Sequence, residues 1–164
     1  MSLFELCQKL EETGISRLVR EDPWMFPILV SIHILGLMLS VGLLLWFDLR
    51  LLGFGIRNGS VSRLYRRLMP WMIPGFFVMS VSGAMLFAGF ATKAYVNLFF
   101  RVKLSALVVA GLNAAFFHLV TERRIAPWDE SRLLPTAARV AGLISILAWT
   151  MVILAGRMTA YTMY

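Results

Sequence analysis

Four long runs without acidic or fixed basic residues constrain this chain more than any other feature. The first run contains 25 residues, which as an α-helix would extend roughly 37 Å. The hydrocarbon core of a bilayer is about 30 Å thick, and the strands of soluble proteins are much shorter than such runs. The pattern therefore predicts four membrane-spanning helices. The four runs are residues 23–47, 68–92, 104–121 and 140–156.

Composition agrees with a membrane protein and argues against other classes. Apolar residues make up 59% of the 164 residues and charged residues 15%, against about 45–50% and about 25% in soluble domains. The net charge of +7 comes from basic residues between the apolar runs, where they orient the chain and meet anionic lipids. We expect the lipid bilayer as a partner and no nucleic acid. The single cysteine, Cys7, excludes an internal disulfide.

The predicted fold is an all-α, integral membrane four-helix bundle with an N-terminal amphipathic interfacial helix. Residues 1–22 carry apolar positions at helical spacing between charged ones, which is typical of a helix in the membrane interface. Residues 23–164 form the four-span domain, with spans at approximately 23–48, 68–92, 98–121 and 137–157. Nine basic residues in the first and third connections, against seven on the opposite side, predict that both termini are periplasmic.

Both histidines fall within predicted spans, where an ionisable group needs a specific reason. His33 lies early in the first span and His118 late in the third. Because these two helices run parallel, the offset between the imidazoles is about 12 residues, or roughly 18 Å along the membrane normal. The two histidines are therefore not expected to ligate the same haem within one chain.

Gly36 and Ser40 follow His33 at i+3 and i+7, on the same face of the helix. Two small residues beside an imidazole leave a flat slot, which fits either a porphyrin ring or a closely packed helix. His33 would be a haem ligand in the first case and a hydrogen-bonding group across the bundle in the second.

Three basic residues come to the same membrane surface as His33. Arg101 and Lys103 open the third span, and Arg157 closes the fourth. Such cations can neutralise the propionates of an edge-on haem, because a guanidinium group matches a carboxylate in shape. They can also simply extend to the lipid headgroups from the helix ends.

Three methionines lie within a turn or two of the depth of His33: Met79, Met85 and Met151. A thioether can serve as the second axial ligand of a haem iron or as a ligand of Cu(I). The same side chains also serve as flexible packing.

A second polar pair, Asn113 and His118, lies on the third span toward the first and third connections. This pair fits a second cofactor, a quinone head group or a hydrogen-bond network between helices, and the network is favoured. The other polar residues expected at this depth are Asp48, Arg50, Tyr65 and Glu122.

Several short motifs resemble a bacterial family of small four-helix membrane proteins without assigned function. They are SIHILGL (31–37), DLRLLG (48–53), ATK (91–93), FRVKL (100–104), FH (117–118) and AGR (155–157). The resemblance covers most of the chain beyond residue 10. It implies the four-helix architecture and a bacterial inner membrane location, and it brings no settled activity.

The pattern is also similar, more distantly, to HemJ-type protoporphyrinogen oxidases and to CopD copper-resistance membrane proteins. The HemJ-type proteins bind haem b, so this similarity implies His33 as axial ligand and Lys103 as a partner of the haem. The chain carries Arg101 where those proteins usually carry a histidine, and its third-span histidine comes later. The oxidase activity is therefore not carried over.

These observations favour a haem b protein that passes electrons between a periplasmic redox partner and the membrane quinone pool. Two alternatives stay open: transport of copper or another small solute, and an accessory role in a larger membrane complex. No set of serine, histidine and carboxylate, phosphate loop or zinc spacing appears, so hydrolase and nucleotide chemistry are not predicted.

Overall fold

The computed structural model describes residues 2–54, 60–121 and 134–163. This part of the chain is all α-helical and contains four helices that are long and apolar enough to cross a membrane. The prediction of an all-α membrane bundle is thereby confirmed. The first to fourth spans are Met25–Leu51, Val61–Gly89, Leu98–Leu119 and Thr136–Thr162.

All four spans extend beyond the uncharged runs from which they were predicted, as the second and fourth show. The second begins at Val61, where the Ser60 hydroxyl accepts a hydrogen bond from the Arg63 backbone N–H and caps the helix. Charged residues end an apolar run but not a helix, because arginine is a good helix former. The fourth span continues past Arg157 to Thr162 for the same reason. Pro70 and Pro74 lie inside the second span and do not end it.

Small residues bring the first and second spans into backbone contact. A Cβ atom at Gly36 would lie 2.8 Å from the Met79 backbone N, and one at Gly75 would lie 2.8 Å from the Ser40 backbone N. Only a residue without a side chain fits such a crossing, and small residues are the usual means by which membrane helices approach closely.

The fourth span joins the two halves of the bundle. It packs along the third span and against the last part of the first. A Cβ atom at Gly142 would lie 3.1 Å from the Asp48 carbonyl oxygen, so the first and fourth spans also meet closely. The packed pairs are thus first with second, first with fourth and third with fourth.

The α-helical hydrogen bonding of the first and third spans is interrupted by short π-helical segments. These segments are Met38–Gly42 and Phe117–Thr121. Each widens the helix by about one residue per turn and shifts the side chains that follow, a device often found at functional positions. Ser40 lies in the first segment and His118 in the second.

Two short helices, Leu3–Glu11 and Gly14–Glu21, occupy the N-terminal segment, and Thr13 caps the second of them. Val19 is buried against Gly89 at the end of the second span. The Glu11 carboxylate accepts hydrogen bonds of 2.8 Å from the Thr92 backbone N–H and hydroxyl, at the start of a short connecting helix, Ala91–Val96. The N-terminal helices are therefore fixed to one end of the bundle.

Candidate functional site

His33 is held across the bundle by its Nδ1 atom. This atom lies 2.9 Å from the Met79 carbonyl oxygen and 3.1 Å from the Ser82 hydroxyl, which itself donates to the Val78 carbonyl at 2.6 Å. Because a carbonyl only accepts, Nδ1 carries the hydrogen in the neutral imidazole. The Nε2 atom consequently presents a lone pair, as it does in a metal-ligating histidine with a carbonyl on its other nitrogen.

Lys103 is the basic residue that the structure brings to His33. The two side chains interact electrostatically across the first and third spans. The Lys103 stem lies beside the fourth span, since a Cβ atom at Gly156 would be 3.7 Å from Lys103 Cδ, Cε and Nζ. A lysine at this depth, partly buried, is unusual in a membrane bundle and marks a candidate functional position.

The slot beside His33 is occupied by a helix. Gly36 and Ser40 face the backbone of Gly75 and Met79 on the second span, and the Ser40 hydroxyl donates to the Gly36 carbonyl at 2.6 Å. Of the two occupants that the sequence leaves open, the structure contains the closely packed helix. The part of Gly36 and Ser40 in a haem site stays a prediction.

The two arginines that were predicted to neutralise haem propionates, Arg101 and Arg157, both contact tyrosines. Arg101 donates through Nε to the Tyr95 carbonyl at 3.2 Å, and Arg157 donates to the Tyr161 hydroxyl at 2.9 Å. Each guanidinium group also lies over the ring of its tyrosine. Both arginines are exposed at the helix ends, where they can reach the headgroups.

The three candidate methionines have different surroundings. Met79 is buried, and its sulfur lies 3.8 Å from the Ser40 hydroxyl. Met85 is half-buried. Met151 is 48% exposed, and its role as a ligand stays a prediction. Depth along a helix does not show which way a side chain points, because neighbouring positions at nearly the same depth lie on different faces of the helix.

A cavity of about 370 Å³ lies between the second and third spans, and Met79 is one of its lining residues. These two spans diverge, and the first and fourth spans form the floor between them. The volume falls within the range of small-molecule sites. Aromatic side chains make up much of the wall: Phe47, Tyr65, Phe76, Phe117 and Trp149.

The cavity opens sideways, toward the lipid. Ile73 and Gly111 line it from the second and third spans, and both also belong to the outer surface of the bundle, Ile73 with 62% of its side chain exposed. A Cβ atom at Gly111 would meet no atom within 4 Å. These exposed lining residues mark an opening of the cavity between the second and third spans.

Polar groups gather where the cavity approaches the first and third connections. Asn113 donates to the Ala141 carbonyl at 2.9 Å, and the Tyr65 hydroxyl lies 3.2 Å from His118 Nδ1. Asn113 and His118 thus each make a hydrogen bond between helices, and both residues form part of the cavity wall. Glu122, also expected here, lies outside the described residues.

Asp48 is the polar group of the cavity whose surroundings are most unusual. It is only 3% exposed, and its Oδ2 atom has no hydrogen-bond partner within residues 2–54, 60–121 and 134–163. The Ser145 side chain lies near the carboxyl group. Asp48 was expected near this cluster but was not a predicted site residue. The available signal was that Asp48 is the only acidic residue within the four spans.

The two histidines lie far apart along the bundle, as expected. His33 contacts the second span at Met79, and His118 contacts it at Tyr65. Fourteen helical residues separate these positions, or roughly 21 Å. Among the described residues, no group of three or more histidine, cysteine, aspartate or glutamate side chains could hold a metal ion.

Fold and site together define a four-span α-helical membrane protein with a lateral, largely apolar cavity. The chain belongs to DUF6644, a family of unknown function whose model matches residues 26–162. This confirms the predicted membership of an uncharacterised family, while the similarity to HemJ-type and CopD proteins stays a prediction. No curated protein and no solved structure matches the chain.

Proposed function

We propose that the protein binds a membrane quinone and takes part in electron transfer within the membrane. The observation that carries the proposal is the lateral cavity between the second and third spans, with an apolar wall and polar groups toward one end. A flat ring would lie between the aromatic side chains, and its oxygen atoms would reach the polar groups. The long apolar tail of a quinone would leave through the opening into the bilayer.

Binding of decylubiquinone and decylubiquinol to the purified protein in detergent tests this proposal. Isothermal titration calorimetry should give one site per chain for at least one of the two forms. Gly111→Trp should weaken binding by about tenfold or more, because the indole would fill the opening where a Cβ meets free space.

Gly42→Trp is the matched control for this experiment. Gly42 is also exposed, has no atom within 4 Å of a built Cβ, and does not line the cavity. The Gly42→Trp variant should bind the quinone or quinol with the same affinity as the unaltered protein. If neither quinone form binds, or if both tryptophan variants lose binding equally, the quinone proposal fails.

The orientation of His33 favours a second candidate, a haem b held through His33 Nε2. The hydrogen bond from Nδ1 to a carbonyl and the nearby cation of Lys103 fit an axial ligand and a propionate partner. Gly36 and Ser40 pack against the second span, and their part in the haem site stays a prediction. A haem would supply one-electron chemistry beside the proposed quinone site.

A visible absorption spectrum of the purified protein tests the haem candidate. A Soret band should be present, His33→Ala should abolish it, and His118→Ala should leave it, because His118 contacts the second span roughly 21 Å away. Absence of the band, together with a negative pyridine haemochrome assay, would exclude haem and leave the quinone proposal standing.

A further inference from the structure

The buried carboxyl group of Asp48 has one oxygen without a hydrogen-bond partner in the described part of the chain. A buried polar atom without a partner lowers the stability of the fold, because its hydrogen bonds to water are lost and not replaced. Asp48 lines the cavity, so a ligand bound there can supply the missing partner when the carboxyl group turns toward it.

The fold holds Asp48 firmly in this position. Its neighbours Phe47 and Leu51 are buried in the core, at 4% and 1% exposure. On the opposite helix, Gly142 packs against the Asp48 backbone, and Ser145 lies near its carboxyl group. The Asp48 backbone is therefore fixed at the floor of the cavity, and only the carboxyl group can turn.

We infer that Asp48 Oδ2 accepts a hydrogen bond from a ligand hydroxyl, so that the cavity prefers a quinol to the corresponding quinone. This inference rests on the proposed quinone site. A quinol carries two O–H donors, whereas a quinone carries only acceptors. Oδ2 can accept this hydrogen bond in the ionised carboxyl group and also in the neutral group when the proton is on Oδ1.

The placement of the other polar groups fits a neutral ring with oxygen atoms on opposite sides. Asp48 and Ser145 belong to the floor of the cavity, on the first and fourth spans. The Tyr65 and His118 pair lies across from them, on the second and third spans. One quinol oxygen would meet each group. A carboxylate also attracts lipophilic cations, but such a cation would gain no hydrogen bond from the Tyr65 and His118 pair.

Three matched ligands test the inference on the unaltered protein: decylubiquinol under anaerobic conditions, its 1,4-dimethyl ether and decylubiquinone. The quinol should bind about tenfold or more tightly than the other two, because only it can donate to Oδ2. Equal affinity of quinol and quinone would overturn the inference. Binding of none of the three would instead overturn the quinone site itself.

Variants locate the preference at Asp48. In Asp48→Leu, whose side chain has no hydrogen-bond acceptor, the three ligands should bind within about threefold of one another. Ser80→Ala, which removes a different polar lining residue, should keep the quinol preference. Retention of that preference in Asp48→Leu would overturn the assignment. So would displacement of the quinol by tetraphenylphosphonium at lower concentrations than by the quinone.

Discussion

Gly36 and Gly75 show how single residues set the distance between two membrane helices. Each lies where the backbone of the other span would be within 3.2 Å of an added Cβ. Lipid provides no hydrophobic force between helices, so this close packing and the hydrogen bond of His33 hold the pair together. The face that looked suited to a porphyrin is a helix crossing.

Gly36→Ala should therefore destabilise the protein despite the higher helix propensity of alanine. The new methyl group would lie 2.8 Å from a backbone nitrogen, and overpacking of this kind costs about 1–3 kcal/mol. Unfolding in a mixed-micelle denaturant series measures the change. Gly42→Ala, with free space around its Cβ, should be neutral or slightly stabilising. Equal effects of the two substitutions would show that the crossing is not tight.

His33 makes a similar point for polar residues within the membrane. Its identity and depth could be read from the sequence, and so could the presence of Lys103 at the same level. The partner on Nδ1 could not, because Met79 contributes a backbone carbonyl and any residue type would offer one. Sequence patterns identify side chains, whereas the acceptor of this hydrogen bond is a main-chain oxygen.

At the scale of helices, the four spans were predictable because the length of an apolar run is set by the thickness of the bilayer. The ends of the helices were less predictable, since turns that contain arginine continue the second and fourth helices beyond the apolar run. The cavity was not predictable at all. It depends on which spans pack and which diverge, and hydropathy carries no information about helix order.

The N-terminal helices provide a prediction at this scale. Glu11→Ala should release them from the bundle, because the Thr92 N–H and hydroxyl would lose their acceptor. The cost of losing a helix-capping carboxylate is about 1 kcal/mol. Hydrogen–deuterium exchange over residues 2–21 should increase, while exchange within the four spans stays unchanged.

Glu12→Ala is the appropriate control, since Glu12 is the neighbouring acid and is exposed. It should leave exchange over residues 2–21 nearly as in the unaltered protein. An equal increase in both variants would mean that the segment is held by its apolar contacts, chiefly Val19 against Gly89, and not by Glu11.

At the scale of the whole molecule, the bundle is two packed helix pairs joined through the first and fourth spans. This arrangement leaves a cleft between the second and third spans, and the single acid of the membrane segments lies at its floor. The histidine and lysine pair lies toward the opposite surface, and Met79, which contacts His33 and lines the cleft, connects the two regions.

Labelling with a photoreactive quinone analogue in native membranes tests the central claim most directly. Mass spectrometry should place the label on residues 65–80 of the second span and 107–118 of the third. An excess of unlabelled decylubiquinol should suppress the labelling, and Gly111→Trp should reduce it. Label spread over the outer faces of all four spans, and unchanged by the competitor, would contradict a quinone site in this cavity.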